Sequence, residues 1–297
     1  MKTSTEINSI AKIVGEEEAV RLVAEAGFDA YDFSMTSMAR FDWKNRCVIP
    51  TDHPLRSKDY LAFVKKIRRI AEENGISCNQ SHAPFPVSHP QIREMLPRAL
   101  ECTAEAGGEH CVIHPDNNKP AAENAEMFFE LLPIAHACGV KIATENMFNW
   151  NKEEGRALPA ACSDGPDFLE HLRAVDDPFL VACVDVGHAE MAGLGTSAVR
   201  MLRELGPRVE ALHLHDNDLR HDSHQLPFTM QIDFDPIVDA LVEIGYRGCL
   251  TLEAVKYCAG TSPEELPARV REMSAAARRL DAMFTEKEKK RHDLHRI

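Results

Sequence analysis

The chain has 297 residues, of which 44% are hydrophobic, and its 34 Lys and Arg against 47 Asp and Glu give a formal charge of −13 at pH 7. This hydrophobic share is enough to bury a large core, which argues against a disordered chain. The acidic balance argues against non-specific binding of nucleic acid through clustered cations. No stretch reaches 18 apolar residues and the N-terminal segment lacks an apolar signal core, so we expect neither membrane insertion nor secretion.

Short apolar runs alternate along the chain with stretches of helical periodicity. The runs predict strands at 7–14, 28–33, 76–82, 110–114, 140–145, 180–185, 209–215 and 249–253. The stretches between and after them predict helices at 16–26, 58–74, 89–106, 121–138, 165–174, 196–205, 235–244 and 263–283. Residues 283–297 end in a run of charges and are expected to be a helix end or a tail.

Strands that alternate with helices predict an α/β protein with a parallel sheet. Eight βα units are the number in a (β/α)8 TIM barrel, and one barrel accounts for residues 1–297 as a single domain. A doubly wound open sheet is the alternative, but nucleotide-binding sheets of that kind usually carry a GxGxxG or GxxxxGKS/T loop, and the sequence has neither.

The nine cysteines are an odd number without a CxxC pair, and several fall inside apolar runs such as VACVD and HCVIH. This pattern is typical of reduced, buried thiols rather than of a disulfide framework or a thiolate metal site. We therefore expect a cytoplasmic protein.

Four predicted strands end in a residue that can bind a metal ion: Glu145, Asp185, His215 and Glu253. The carboxyl ends of barrel strands meet at one mouth, where active sites lie, so we expect these side chains to converge. One such residue alone is more often a helix cap or a solvated loop side chain. Three carboxylates buried together raise one another's pKa unless a cation offsets their charge, which favours a metal site.

His213 lies two residues before His215, and the two share a strand face. We expect His215 to be the ligand because it lies nearer the mouth, and His213 to be a packing group or a support for the ligands. Carboxylate oxygens with one imidazole favour Mn²⁺, Mg²⁺ or Co²⁺, and Zn²⁺ is also compatible.

More polar residues follow other strands. His82, His114 and His188 lie at or just after strand ends, and Asp222 and His224 lie in the loop after the seventh strand. Their positions predict that the four histidines contact substrate.

The segment 35–57 is long for a loop in a compact domain and contains Phe41 and Trp43. We expect a lid in which Trp43 or Phe41 offers an apolar face to a bound ring, with a packing or subunit contact as the alternative. Trp150 follows the fifth strand and is expected near the same pocket. No cluster of Lys or Arg lies beside a helix N-terminus at a strand end, so no phosphate site is evident.

Together these motifs resemble the xylose isomerase-like, or AP endonuclease family 2, barrel superfamily. The segments that carry the resemblance are SHAPF, ENM, VDVGHAEMAG, HLHDND with the HQLPF and IDF that follow it, and YRGCLTLEA. The resemblance spans nearly the whole chain. It implies a (β/α)8 barrel with one divalent metal ion held by Glu145, Asp185, His215 and Glu253.

The superfamily includes sugar isomerases, ketose 3-epimerases and inosose dehydratases with one metal ion, and endonuclease IV-like nucleases with three zinc ions. The fuller nuclease set has candidates here in His82, His114, His188, Asp222 and His224. However, NMFNWNKEEG follows Glu145 where the nucleases typically have a Thr-Ala-Gly stretch, and HLHDND replaces their HLND segment. The resemblance therefore favours a sugar isomerase or epimerase, with a zinc nuclease and a metal-dependent dehydratase or lyase as alternatives.

Three features depart from the ketose 3-epimerase pattern. Asn151 stands where those enzymes have a substrate-binding Glu, and His221 stands where they have an Arg. The GEG that usually follows the HxLP segment is replaced by PFTMQIDF, whereas His188 matches the sugar-contacting His of the family. The sequence leaves open which sugar is bound.

Our hypothesis is that Glu145 and Glu253 are the catalytic residues and exchange a proton with the carbon next to a carbonyl group of a small sugar or sugar-derived substrate. The metal ion would act as a Lewis acid and stabilise the enediolate. We expect no membrane partner and no nucleic acid, and homo-oligomer formation is left open.

Overall fold

The structure of the chain, a computed structural model, describes residues 1–294, and strands lie at regular intervals along it. In chain order they are β1 (Thr3–Glu6), β2 (Ala30–Ser34), β3 (Phe41–Asp42), β4 (Cys47–Val48), β5 (Ser77–His82), β6 (His110–Val112), β7 (Lys141–Glu145), β8 (Phe148–Asn151), β9 (Arg156–Pro159), β10 (Leu180–Asp185), β11 (Val209–His213) and β12 (Leu250–Leu252).

Helices connect the strands. They are α1 (Asn8–Val14), α2 (Glu16–Glu25), α3 (Tyr60–Glu73), α4 (Pro90–Arg93), α5 (Leu96–Ala106), α6 (Ala121–Cys138), α7 (Gly165–Val175), α8 (Val186–Ala189), α9 (Ala198–Leu205), α10 (Phe234–Glu243) and α11 (Leu266–Leu294). Short 3₁₀ turns lie at Thr36–Met38, Pro54–Arg56 and Gly206–Arg208.

Eight strands within residues 1–294 form one parallel sheet in the order β11-β10-β7-β6-β5-β2-β1-β12. Its two edges meet at a parallel bridge between Leu214 and Leu252. There the Leu214 N–H donates to the Thr251 carbonyl at 2.9 Å, and the Glu253 N–H donates to the Leu214 carbonyl at 3.0 Å. The bridge closes the sheet, and the predicted (β/α)8 TIM barrel is confirmed.

The first strand lies earlier than its predicted position at 7–14, and that prediction is wrong. Asn8–Val14 is helix α1, and the strand is the polar segment Thr3–Glu6. The β-branched Thr3 and Thr5 suit a strand, and all of β1 is buried because it lies between β2 and β12. Ile7 and Ile10 have the spacing of one helix face and are buried.

Other elements differ in extent from their predictions. The helix at 89–106 is divided into α4 and α5, and the helix at 263–283 continues to Leu294. Part of the predicted helix end or tail is therefore helix, whereas 295–297 lie outside the described residues. The predicted loop at 35–57 contains the antiparallel hairpin β3–β4, and an unpredicted hairpin, β8–β9, follows β7.

The core lies between the barrel and its helices, where each outer helix presents apolar side chains to the sheet. Phe128 of α6, Phe168 of α7, Phe234 of α10 and Phe284 of α11 are almost completely buried. This packing fixes the strands relative to one another, so side chains at the strand ends have defined positions.

The described helices include none that is both long and apolar enough to cross a lipid bilayer. The nine cysteines carry free thiols, and Cys47 is the one that is exposed.

Candidate metal centre and active site

Four ligand-type side chains meet at the carboxyl ends of neighbouring strands. Glu145 ends β7, Asp185 ends β10, His213 ends β11, and Glu253 follows β12. One oxygen or nitrogen atom of each lies within 4.8 Å of those of the others. His213 Nδ1 is 3.3 Å from Glu145 Oε1 and 3.6 Å from Glu253 Oε2. We call these residues the central group, and their donor atoms are close enough to share one cation.

Three of the four predicted ligands belong to the central group, but its imidazole is that of His213. The strand register pairs Asp185 with His213, so this ring stands level with the carboxylates. His215 lies two residues further along, with its Nε2 3.0 Å from Asp185 Oδ1. The two-residue repeat of a β-strand predicts that the rings of His213 and His215 share a face, but it does not predict which ring lies at the level of the carboxylates.

His215 belongs to a second group, which we call the loop group, with His188, Asp222 and His224. Asp222 Oδ1 lies 3.0 Å from His224 Nε2 and 3.7 Å from Nε2 of both His188 and His215. The rings of His215 and His224 stack with their centroids 3.9 Å apart. Three imidazoles thus surround one carboxylate oxygen.

A third group, the side group, combines His82, His114 and Glu145. His82 Nε2 lies 3.0 Å from His114 Nε2. Glu145 Oε2 is 3.1 Å from His114 Nε2 and 3.7 Å from His82 Nε2. Glu145 belongs to both the central group and the side group, so its two oxygens serve adjacent donor sets.

Three histidines are held through Nδ1, so that Nε2 faces the site. Nδ1 of His82, His188 and His224 lies 2.8, 2.9 and 2.8 Å from the backbone carbonyls of Ala83, Asn146 and Glu253, respectively. A carbonyl oxygen only accepts, so each Nδ1 carries a proton, and in the neutral ring each Nε2 keeps its lone pair. This arrangement is usual for metal-binding histidines.

Several buried polar atoms at the mouth have no hydrogen-bond partner in the described part of the chain. They include Glu145 Oε2, Asp185 Oδ2, His213 Nδ1, His215 Nε2 and Asp222 Oδ1. An unsatisfied buried group costs about 1–3 kcal/mol, and these atoms converge instead of pairing. Converging carboxylate oxygens and imidazole nitrogens fit a divalent cation.

Neighbouring imidazoles hold Asp185 and Asp222 in the ionised form. Burial raises the pKa of Asp185, but the His188 and His215 imidazoles outweigh burial and lower this pKa to about 2. Burial also opposes ionisation of Asp222, yet His224 and His188 hold its pKa well below the usual range. Burial lowers the pKa of His224, and the Asp222 carboxylate raises it more strongly, to about 10. Ionised carboxylates are the form that binds a cation.

A cavity of about 1000 Å³ opens at this mouth. Its lining includes both candidate catalytic residues and all five predicted substrate contacts, namely Glu145, Glu253, His82, His114, His188, His224 and Trp43. Asp185 and His215 are fully buried and do not line it. A ligand in the cavity would therefore meet the two glutamates and the histidines directly.

Aromatic side chains stand at the cavity rim. Trp43, on the β3–β4 hairpin, is 64% exposed, with its ring centroid 5.0 Å from that of Phe41 and 6.4 Å from that of Phe85. Trp150, on the β8–β9 hairpin, also lines the cavity. Both hairpins have short strands, which give little periodic signal in the sequence.

Two buried carboxylates near the central group were not found from the sequence. Glu6 ends β1, lines the cavity and accepts a hydrogen bond from the Ser9 N–H at 2.9 Å, and burial raises its pKa. Asp32 lies in β2, and its Oδ2 accepts from His213 Nε2 at 3.3 Å. Glu6 was missed because the first strand was predicted at 7–14, after this residue. For Asp32 the sequence did offer a signal, because it is the single charged residue in the strand AYDFS.

Comparison with known proteins gives matches over most of the chain. A model of the xylose isomerase-like TIM barrel family matches residues 20–280. An uncharacterized protein of Methanocaldococcus jannaschii is 29% identical over 190 residues, covering 58% of this chain and 62% of that protein. The uncharacterized protein y4fM of Sinorhizobium fredii is 26% identical over 262 residues, covering 80% and 81%. The chain thus spans less than two thirds of the first relative.

Solved structures share the fold over nearly the full length. A D-tagatose 3-epimerase-like protein has a TM-score of 0.70 at 21% identity, with 97% of this chain and 99% of that chain covered. An L-ribulose 3-epimerase has a TM-score of 0.70 at 15% identity, with 99% and 98% covered. The IOLI protein with a bound zinc atom has a TM-score of 0.67 at 16% identity, with 97% and 99% covered. At these identities the likeness shows a common fold.

Proposed function

The chain belongs to the xylose isomerase-like TIM barrel family, and on that premise we propose that it is a divalent-metal-dependent carbohydrate isomerase or epimerase. The observation that carries the proposal is the central group, in which Glu145, Asp185, His213 and Glu253 converge, with Glu145 and Glu253 lining a large cavity. Two structures with the same fold, a D-tagatose 3-epimerase-like protein and an L-ribulose 3-epimerase, support a sugar as substrate.

We assign the ion to Glu145, Asp185 and Glu253 together with His213 or His215, because unpartnered buried atoms converge there. This donor set favours Mn²⁺, Mg²⁺ or Co²⁺, and the zinc atom in the IOLI structure supports Zn²⁺ as a further candidate. When bound, a divalent cation supplies Lewis acidity to substrate oxygens.

The protein's own groups account for the proton transfer in this proposal. Glu145 and Glu253 both line the cavity, and His213 Nδ1 lies between them, 3.3 and 3.6 Å from their nearest oxygens. In an epimerisation one carboxylate removes a proton from carbon and the other returns a proton on the opposite face, whereas one carboxylate suffices for isomerisation. His188 lines the cavity with its Nδ1 proton bound to a carbonyl, which leaves Nε2 for a substrate hydroxyl.

Replacement of Glu253 tests this assignment. Glu253→Gln keeps the shape but removes the base, so we expect turnover to fall at least 100-fold, the lower end of a general-base contribution. The assay is solvent-deuterium uptake by a panel of ketoses, aldoses and inososes, followed by NMR, with bound metal measured in parallel. Glu210→Gln is the matched control, because Glu210 lies on β11 away from the cavity and pairs with Lys141 at 2.7 Å.

Two outcomes would contradict the proposal. Activity unchanged in Glu253→Gln with metal retained would remove Glu253 from the chemistry. Activity that survives thorough chelation with EDTA would refute the metal dependence, whereas loss with EDTA and recovery with Mn²⁺ would support it.

The loop group and the side group favour a second candidate, an endonuclease IV-like zinc nuclease. These groups add His82, His114, His188, Asp222 and His224 to the donors of the central group, enough for further ions. Metal analysis separates the two functions, because about one ion per chain favours the sugar enzyme and about three favour the nuclease. Cleavage of a duplex with an abasic site is the matching activity assay.

A further inference from the structure

The cavity mouth has a basic sector that the proposed proton transfer does not use. Lys12 from α1, and Arg40 and Arg46 from the segment after β2, line the cavity. Because β1 pairs directly with β2, the segments that follow these strands lie side by side at the mouth. Lys12 is distant in sequence from Arg40 and Arg46, which is why no cluster was evident there.

These cations have no carboxylate partner within 4.0 Å among the residues that the structure describes. Two acidic side chains close to these cations in sequence are engaged elsewhere. Glu16 contacts His53 at 2.7 Å, and Asp42 accepts from the backbone N–H groups of two hairpin residues at 2.9 and 3.0 Å. In a chain of charge −13, a sector of unpaired cations beside a cavity is a place where an anion gains attraction without displacing a partner.

Neutral hydrogen-bond donors share this sector. Asn8, Thr36 and Ser37 line the cavity together with the three cations. Of the carboxylates that line the cavity, Glu6, Asp32, Glu145 and Glu253 lie in or directly after barrel strands, whereas Asp116 and Asp222 lie in loops. The cavity therefore combines an acidic floor, suited to a cation and a polyol, with a donor-rich rim, suited to an anion.

Arg46 stands at a position where the backbone does not favour arginine. Its φ is +54°, in the left-handed region that glycine and asparagine adopt more readily. The turn itself therefore does not require this residue, whereas its guanidinium is one of the three cations of the rim.

We propose that Lys12, Arg40 and Arg46 bind an anionic group, a phosphate ester or a carboxylate, at the end of the substrate remote from the metal ligands. The inference rests on the proposed function, since the other end of the same sugar would meet Glu145 and Glu253. Guanidinium and ammonium groups make short, charge-assisted hydrogen bonds to both kinds of anion. Trp43 lies between the two arginines in sequence and is exposed at the rim, where it offers an apolar face to the sugar ring.

Calorimetric binding to the metal-loaded, full-length protein tests the proposal with matched probes. The phosphate arm compares D-fructose 6-phosphate with D-fructose, the carboxylate arm compares D-gluconate with D-glucose, and inorganic phosphate is a probe that needs no turnover. We expect the anionic member of at least one pair to bind about tenfold tighter or more. The arm that shows this preference identifies the anion.

Variants of the rim separate this site from direct binding of the anion to the metal. Arg40→Gln and Arg46→Gly should each reduce the preference at least fivefold, whereas Lys44→Gln, on the same hairpin but outside the cavity lining, should leave it unchanged. Arg46→Gly should not lower the thermal midpoint, because glycine tolerates the φ at this position. A loss of binding in this variant therefore does not arise from misfolding.

Equal binding within both pairs would overturn the proposal. So would a preference that survives both arginine substitutions, because the metal ion alone would then hold the anion. Inorganic phosphate that binds and is lost in Arg40→Gln and Arg46→Gly, in a protein that exchanges no deuterium with any sugar, would support the anion site while refuting the proposed function. Turnover of neutral sugars without any anion preference would support the proposed function and refute the anion site.

Discussion

Asp32 is the side chain whose replacement tests how the central group is oriented. Its Oδ2 accepts hydrogen bonds from Gln80 Nε2 at 2.9 Å and from His213 Nε2 at 3.3 Å. A carboxylate only accepts, so His213 Nε2 carries a proton. In the neutral ring the lone pair then lies on Nδ1, which is 3.3 Å from Glu145 Oε1. Asp32 thereby fixes both the tautomer and the direction of the His213 ring.

We expect Asp32→Ala to weaken binding of Mn²⁺ or Zn²⁺ about 10- to 100-fold, the usual effect of removing a group that orients a metal-binding histidine. This corresponds to about 1.4–2.8 kcal/mol of binding free energy. Asp32→Asn should reduce the metal affinity less than Asp32→Ala, because the amide oxygen can replace Oδ2 and accept both hydrogen bonds. Its nitrogen then replaces Oδ1, which has no hydrogen-bond partner among the described residues. The difference between the two variants separates orientation of the ring from the charge of Asp32.

The assay is competition with a chromophoric chelator on metal-stripped protein at constant pH. Asp177→Ala is the control, since Asp177 also contacts a histidine, His136 at 3.0 Å, but lies outside the cavity lining. Thermal unfolding in EDTA shows whether each variant is folded. A folded Asp32→Ala protein with metal affinity within twofold of the parent would refute the reasoning and point to His215 as the imidazole ligand.

Two further predictions concern a close contact and a surface ion pair. A Cβ at Gly187 would overlap the buried His215 ring, so Gly187→Ala should lower the free energy of unfolding by about 1–3 kcal/mol; an unchanged denaturation midpoint would contradict this. Asp29 accepts from Nη1 and Nη2 of Arg278, at 2.8 and 2.9 Å, and from the Thr3 N–H at 2.8 Å. Burial raises the pKa of Asp29, but these hydrogen bonds outweigh it and lower the pKa below the ordinary value of 3.8. Because the folded-state pKa is the lower one, the stabilisation is present above pH 3.8 and is lost as the pH falls through the folded-state pKa. Asp29→Asn should therefore cost about 0.2–1 kcal/mol at pH 7, as for a partly exposed pair, and this cost should shrink in denaturation series below pH 3.8; a cost independent of pH would contradict the assignment.

The alternation of apolar runs and amphipathic stretches determined the barrel, because strand and helix periodicities are local properties of the chain. The same local signal placed Glu145, Asp185 and Glu253 at the ends of strands, and the barrel architecture then implied their convergence. The signal failed at Thr3–Glu6, a polar strand, because burial of that segment depends on β2 and β12 on either side of it.

Which imidazole stands beside the carboxylates was decided by the tertiary structure alone. A register shift between Ala182 and Cys183 moves the pairing of β10 with β11 by one residue, and His213 is thereby paired with Asp185. Such a shift depends on how two strands pair, so it does not change the periodicity of either strand's sequence. The same holds for Asp32 beneath His213 and for the cations of the rim, since side chains from separate βα units become neighbours only when the barrel closes.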